Sequence, residues 1–279
     1  MMKKDMMAKI LYNKQILPAY YQLGIRWENL PTIEPGQFVM LRLTKYIDPL
    51  LRRPFGVYKI LGQGARGKGQ GIEILYKVLG KGTRLMTNLK PDDEVDILGP
   101  LGNSFSAHSG KTNVIIVAGG IGIVPFYLLA KRFKKVRLLF GGRSKDDLPG
   151  LDDFKKLKID IEVSTDDGSR GKKGLVTEII AKQLSGNSLI YACGPQGMLK
   201  EVARIADKTG IPCYVSLDKA MACGIGACLG CAIKVKGQGP WVKSQENKSA
   251  IRNPQSAIYK MVCKDGPIFD AREIVWEEI

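Results

Sequence analysis

Histidine is almost absent: His108 is the only one in 279 residues. A histidine-rich metal site and a Ser-His-Asp hydrolase both need imidazole at defined positions, so the composition argues against both classes. Acidic residues are scarce beside basic ones, 27 Asp plus Glu against 43 Lys plus Arg, which leaves a formal charge of +16. Such a field attracts anions of many kinds. No nucleic-acid motif accompanies it, so an acidic partner protein or anionic cofactors fit it better, and no nucleic-acid binding is expected. Long apolar runs are missing too. Within the longest uncharged stretch, the apolar run Val114 to Ala130 has 17 residues and carries Gly119, Gly120, Gly122 and Pro125 in its middle. That is short for a membrane helix and reads as strand, turn and helix, so no membrane insertion is expected. The opening MMKKDMMAKI lacks the apolar core and small-residue cleavage site of a signal peptide. A reducing, cytoplasmic location is the expectation.

What is present is ordinary globular material, 44% hydrophobic and 25% charged. The length exceeds the roughly 100–200 residues of one domain, so two or three domains are expected. From residue 6 to about 107, short alternating or apolar runs (Lys9 to Leu17, Phe38 to Leu43, Val57 to Leu61, Ile72 to Val78, Glu94 to Leu98) alternate with Gly and Pro clusters. This pattern predicts an antiparallel barrel or sandwich, with one short helix at Gly82 to Leu89. From about 112 the rhythm becomes strand then helix-length segment: Val114 to Ala118 and Val124 to Phe133, Val136 to Phe140 and Lys145 to Leu157, Ile161 to Ser164 and Leu175 to Leu184, Leu189 to Ala192 and Gln196 to Lys208. Repetition of this kind predicts a doubly wound parallel α/β sheet with ligands at the carboxyl ends of its strands. The expected units are 1–108, 109–213 and 214–279.

Of six cysteines, three fall within nine residues: Cys223-Gly-Ile-Gly-Ala-Cys228-Leu-Gly-Cys231. The spacing C-x4-C-x2-C is that of a plant-type [2Fe-2S] centre, and Cys263 downstream completes a set of four thiolates. Glycines 224, 226 and 230 let the backbone curl around a metal and aim N–H groups at sulfur. A structural zinc site, which pairs two C-x2-C knuckles, and free cysteines in a Gly-rich loop are the competing readings. The spacing by itself does not make Cys263 the fourth ligand. Cys193 and Cys213, each beside an apolar strand, read as core thiols.

Two further Gly-rich turns each follow a strand and open a helix: Gly119-Gly120-Ile121-Gly122-Ile123-Val124-Pro125 and Cys193-Gly194-Pro195-Gln196-Gly197-Met198. Either could cradle a pyrophosphate, and either could be tight strand-to-helix packing; two strand ends converging on one crevice favour the first reading. In the barrel, Arg52-Arg53-Pro54-Phe55-Gly56 offers a phosphate-pairing arginine and a stacking aromatic, and Gly82-Thr83 a helix start for a diphosphate. Taken alone, these also read as a solvated arginine pair and an ordinary capped helix.

The order Arg-Pro-aromatic, Gly-Thr, GGxGxxP, CGPxxM resembles the ferredoxin reductase superfamily. The run Met221 to Cys231, with Val262-Cys263-Lys264-Asp265-Gly266-Pro267, narrows the resemblance to electron-transfer subunits of two-subunit, NAD-dependent dihydroorotate dehydrogenases. That resemblance covers nearly the whole chain. It implies an oxidoreductase subunit of pyrimidine biosynthesis, with an FAD barrel, an NAD domain and a C-terminal [2Fe-2S] domain. It implies FAD contacts at Arg53, Pro54, Phe55, Gly56, Leu75, Tyr76, Lys77, Gly82 and Thr83, with Cys223, Cys228, Cys231 and Cys263 as cluster ligands. The implied partner is an FMN-containing catalytic subunit, in a heterotetramer of two plus two, with no proton-abstracting base in this chain. Two departures stand out. Gly56 occupies a position where the family commonly has Ser or Thr, and residues 236–256 form a basic insertion between the third and fourth cysteines. A diaphorase subunit of a hydrogenase or ferredoxin-coupled oxidoreductase is the nearest alternative, and a noncatalytic metal-binding module the next. Arg143, Asp166 and Asp167 leave NADH against NADPH open.

Overall fold

The computed structural model describes residues 4–45, 47–62, 70–106, 113–236 and 258–279. His108 and, apart from Lys236, the basic insertion lie outside the described residues.

The N-terminal sheet has seven antiparallel strands in the order β4-β3-β7-β1-β2-β6-β5. They are β1 Lys4–Leu17, β2 Tyr20–Arg26, β3 Phe38–Leu43, β4 Arg53–Gly56, β5 Lys59–Leu61, β6 Gly71–Lys77 and β7 Glu94–Leu101. The long β1 turns the corner: its first half, to Lys9, pairs with β7, and from Ile10 onward it pairs with β2 through two register shifts. Such irregularities bend a strand and let a sheet curl over its own apolar face. That face buries Ile10, Leu23, Ile25, Trp27, Val39, Ile74 and Ile97, with Met86 from helix α1, Lys81–Met86, closing on them.

Strand β2 has no counterpart among the expected runs. Gly24 interrupts its apolar pattern, yet a Cβ there would fall 2.4 Å from the Tyr12 ring, so the cross-strand aromatic requires the glycine. The residue that hides the strand in the sequence is the one that lets it pair.

The second sheet reads β11-β10-β9-β8-β12-β13-β16. Strands β8 Asn113–Gly119, β9 Val136–Gly142, β10 Asp160–Thr165, β11 Lys172–Lys173, β12 Ser188–Cys193 and β13 Cys213–Ser216 are parallel, and β16 Ile268–Asp270 is antiparallel at the edge. Helices α2 Phe126–Ala130, α3 Leu151–Lys156, α4 Thr177–Ile180 and α5 Gln196–Thr209 flank it. The expected helix over Lys145 to Leu157 is broken: a 3-10 turn at Lys145–Asp147 precedes α3, and Pro149 with Gly150 at φ +72° separates the two. The helices expected at Val124 to Phe133 and Leu175 to Leu184 are likewise reduced to α2 and α4. The boundary expected at 213 falls within the sheet, which runs on through Ser216 and takes β16 from the C-terminal region.

The remaining element is a two-stranded ladder, β14 Ala232–Val235 with β15 Ile258–Met261, followed by α6 Val262–Asp265. Among the described residues no helix is long and apolar enough to cross a membrane.

Candidate functional site

The order β10-β9-β8-β12-β13 reverses direction between β8 and β12, and ligands of doubly wound sheets bind at such a switch point. Both Gly-rich turns stand there, since Ala118 pairs with Cys193 at the strand ends. Their glycines are not equivalent. A Cβ at Gly119 would fall 2.7 Å from Pro195 Cδ and 2.9 Å from Met198 Sδ, one at Gly122 2.3 Å from the Cys193 carbonyl oxygen, and one at Gly194 2.6 Å from Met198 Cε. These three serve turn-against-turn packing. Gly120, at φ +53°, has no neighbour closer to its missing Cβ than 3.6 Å, and it opens the 3-10 turn Gly120–Ile123 that leads through Val124 and Pro125 into α2. Burial, reinforced by the nearby Asp218 carboxylate, pushes the Cys193 thiol up to about 12, so it stays protonated at neutral pH.

The barrel brings its segment to the same crevice. Strand β4 lies at a sheet edge, where Pro54 removes no needed ladder donor. A Cβ on Gly56 at its end would fall 2.9 Å from Val124 Cγ1, so the strand abuts the nucleotide turn directly. The hydroxyl that the family resemblance would place here is sterically blocked by Val124. Of the two arginines, Arg52 binds Asp96 at 2.7 Å and Asp5 at 2.7 Å, a structural pairing. Arg53 lies against the start of α1, with its Nε 2.9 Å from where a Gly82 Cβ would be. The Thr83 hydroxyl accepts the N–H groups of Leu79 at 2.9 Å and Gly80 at 3.0 Å, capping the helix rather than facing a ligand. First-turn N–H groups have no intrahelical acceptor, so those of Lys81, Gly82 and Thr83 gather beside a guanidinium, a donor set suited to a diphosphate.

The residues Leu75, Tyr76 and Lys77 point to alternate sides of β6, as strand geometry demands. Tyr76 packs within the barrel, edge-on to Phe55 at 6.2 Å and stacked on Tyr21 at 5.5 Å, with its hydroxyl donating to Asn13 Oδ1 at 3.2 Å. Leu75 belongs to the apolar cluster shared with the second sheet, and Lys77 reaches Asp147.

The cysteine loop docks on the other side of the barrel. A Cβ at Gly224, φ +72°, would fall 2.6 Å from Met40 Cγ. Cys231 and Cys263 are buried, and Cys228 is exposed. Ile225 N–H donates to Cys223 Sγ at 3.5 Å and Cys263 N–H to Cys231 Sγ at 3.4 Å. Burial opposes ionisation of Cys223, but donation by the Ile225 and Cys228 backbones and by the Cys228 thiol outweighs it and lowers the group to about 6. Burial first, then the adjacent Cys231 sulfur, raises Cys263 to about 12. The thiols therefore stand as two pairs, Cys223 with Cys228 and Cys231 with Cys263. Among the described residues no three His, Cys, Asp or Glu side chains are gathered around one point. Four thiols, with backbone N–H groups donating to the Cys223 and Cys231 sulfurs, form a donor set that fits a [2Fe-2S] cluster.

Asn103, just beyond β7, fastens this region. Its side-chain amide donates to the carbonyls of Asp265 at 3.0 Å and Ile268 at 2.8 Å and accepts from Ile268 N–H at 2.9 Å. Neither Asn103 nor Met40, Tyr20 or Asp147 carries a motif; their roles come from contacts across the chain.

Residues 218–248 match the model of the iron-sulfur cluster binding domain of dihydroorotate dehydrogenase B, and 116–204 that of the oxidoreductase NAD-binding domain. The first match holds Cys223, Cys228 and Cys231 and stops short of Cys263. The chain is 36% identical over 275 residues to the dihydroorotate dehydrogenase B (NAD(+)) electron transfer subunit of Caldanaerobacter subterraneus subsp. tengcongensis, covering 99% of this chain and 100% of that one. It is 38% identical to that of Geobacillus thermodenitrificans, over 95% and 96% of the two chains. Among solved structures, a NADH-dependent reduced ferredoxin-NADP oxidoreductase described for flavin-based electron bifurcation superposes with a TM-score of 0.78 at 30% identity, over 97% of this chain and 90% of that one. A Neisseria gonorrhoeae ferredoxin NADP+ reductase with bound FAD and NADP shares the fold alone, at a TM-score of 0.63 and 17% identity over 74% and 92%. With cysteine pairs, paired glycine turns and a flavin-type barrel joined in one chain, and with relatives of this identity along its full length, the protein belongs to the family of electron transfer subunits of NAD-dependent dihydroorotate dehydrogenase B.

Proposed function

We propose that this chain relays electrons from the FMN of a catalytic dihydroorotate dehydrogenase subunit to NAD+, in a cytoplasmic heterotetramer of two plus two. The observation that carries this reading is a continuous run of contacts. Gly224 of the cysteine loop touches Met40; Met40 pairs with Pro54 on β4; Gly56 at the end of β4 touches Val124 of the nucleotide turn. The cluster loop, flavin segment and dinucleotide turn are thus one strand apart from each other, with the barrel in the middle.

When bound, a [2Fe-2S] cluster passes single electrons and FAD stores two and exchanges hydride with NAD. The residues that would hold the cluster are Cys223, Cys228, Cys231 and Cys263, with the Ile225 and Cys263 N–H groups stabilising thiolate charge. Arg53 and the first-turn amides of α1 would take the flavin diphosphate, and Phe55 and Gly56 would border its ring system. Gly120 leaves backbone open to the pyrophosphate of the dinucleotide, while Gly119, Gly122, Pro125, Cys193, Gly194, Pro195 and Met198 shape the crevice. The chain's part is binding, orientation and exclusion of water; the half-buried, protonated Cys193 needs no ionisation for it.

The purified chain with its cofactors should oxidise NADH with an artificial dye and leave dihydroorotate untouched until the FMN-bearing subunit is added. Turnover of dihydroorotate by the chain alone would refute the relay. The 30% identity to the ferredoxin-linked structure favours a second reading, in which ferredoxin is the electron partner. Activity with ferredoxin and none with the catalytic subunit would select it.

A further inference from the structure

The end of the second sheet remote from the glycine turns carries a cavity of about 340 Å³, a size within the roughly 300–1,000 Å³ of small-molecule clefts. It is lined by the connection from α2 to β9 and the connection from α3 to β10, at the amino ends of these two neighbouring strands. Phe133, Val136, Leu157 and Ile159 supply an apolar floor, with Val136 buried and the others half-buried. Lys131, Lys134, Lys135 and Lys158 are exposed and form the rim. Strand β9 has seven residues, so at about 3.3 Å per residue the cavity stands roughly 20 Å from the nucleotide crevice.

Its charges are unbalanced where those around it are paired. On α3, Lys155 pairs with Asp152 at 2.7 Å and Lys156 with Asp153 at 3.5 Å. Arg132, between two of the rim lysines in sequence, pairs with Glu34. The one acid lining the cavity, Asp160, is taken by Arg137 at 2.6 Å. Lys131 lies 5.9 Å from the Tyr127 ring centre, and among the described residues no carboxylate pairs with any of the four rim lysines. Lys158 also follows the C-cap of α3 at φ +55°, where glycine is the usual residue. A lysine there is strained, and it adds a fourth ammonium to the rim.

We propose that this cavity binds a small phosphate ester with an apolar body, the rim lysines taking the phosphate and the floor covering the body. A phosphate monoester carries about −1.5 to −2 charge on three acceptor oxygens, enough to engage several ammonium groups at once. Flexible lysine stems can converge on it without a preset geometry. The formal +16 of the chain attracts any anion, whereas the apolar floor selects those with an apolar part. Because the cavity and the crevice lie at opposite ends of β9, the ligand binds alongside the dinucleotide and does not compete with it.

The test uses the full chain with its cofactors, saturated with NAD+ so that the crevice is filled, and equilibrium dialysis of 1-naphthyl phosphate. Inorganic phosphate and 1-naphthol, the two halves of the probe, should each bind much more weakly than the whole. Lys134→Gln with Lys158→Gln should weaken the probe about tenfold, equal to about 1.4 kcal/mol. Lys155→Gln with Lys156→Gln removes the same charge from the neighbouring helix and should leave the affinity nearly unchanged. Both double variants should keep the unaltered rate of NADH oxidation with dye. Equal losses from the two double variants would overturn the proposal by reducing it to bulk charge. Naphthol binding as tightly as its phosphate, or no binding by the unaltered chain, would overturn it too. So would displacement of the probe by NAD+, or by a glutamate-rich peptide at lower concentration than naphthyl phosphate itself, the second result making the cavity a contact for an acidic protein.

Discussion

Cys263 donates its backbone N–H to the sulfur of Cys231 across 3.4 Å, although 32 positions separate the two in sequence. The contact pairs a thiol of the compact cysteine loop with the distant one, which spacing alone could not do. Serine at position 223, 228, 231 or 263 should abolish or degrade the cluster. Cys193→Ser and Cys213→Ser should retain it, although burying a hydroxyl at Cys213 will cost about 1–3 kcal/mol of stability. Iron and acid-labile sulfide per chain, with the visible spectrum, decide the matter; a full cluster in Cys263→Ser would disprove the pairing.

The glycines of the first nucleotide turn should separate in a mutational series. Gly120→Ala meets no atom closer than 3.6 Å but must adopt φ +53°, a left-handed conformation costing about 1–2 kcal/mol. Gly122→Ala would set its Cβ 2.3 Å from a backbone oxygen, so the two turns must part, at the top of the about 1–3 kcal/mol overpacking range or beyond it. Urea unfolding of both variants checks the order, and equal losses would contradict it.

Gly56 and Val124 should be energetically coupled. Gly56→Ser forces a side chain to within 2.9 Å of Val124 Cγ1 and should cost about 1–3 kcal/mol. The double variant with Val124→Ala makes room, so its loss should be smaller than the sum of the two single losses by at least about 0.5 kcal/mol. Additive losses would show that the contact is loose.

Asp147 supplies a pH dependence of known sign. Its carboxyl titrates lower in the folded chain than in the unfolded one, against burial and because Lys77 and Tyr20 hold the charged form. The unfolded state then binds the proton first as pH falls, so the contribution of this group is complete above the unfolded Asp value of about 3.9 and is lost as pH drops through the folded value. Asp147→Asn should therefore destabilise the chain more at pH 7 than at about pH 3, by urea titration at each pH. A constant difference would remove the ion pair from the account.

Much of this arrangement was legible in the sequence. The triplet Cys223, Cys228, Cys231 announces its chemistry by spacing, because one loop supplies all three sulfurs. The turns at Gly119 and Gly194 were readable as a pair, since each joins an apolar strand to a helix. Local pattern could not sort the glycines by role, because Gly122 answers to the carbonyl of Cys193 and Gly56 to the side chain of Val124. Nor could it find Tyr20 and Asp147, which are 127 positions apart and meet only when the barrel closes on the second sheet. The strand that carries Tyr20 was itself obscured by Gly24, whose reason for being there is a ring on the neighbouring strand.

The amide of Asn103 clasps the segment around Cys263 over separations of 162 and 165 positions. A chain made from its N-terminus completes the barrel and most of the nucleotide sheet before that segment emerges. The set of four thiols is consequently complete only once this last segment has seated on the folded barrel, where Cys263 N–H reaches the Cys231 sulfur. Maturation of the electron path is in this way sequenced by chain order, with one asparagine as its final fastening.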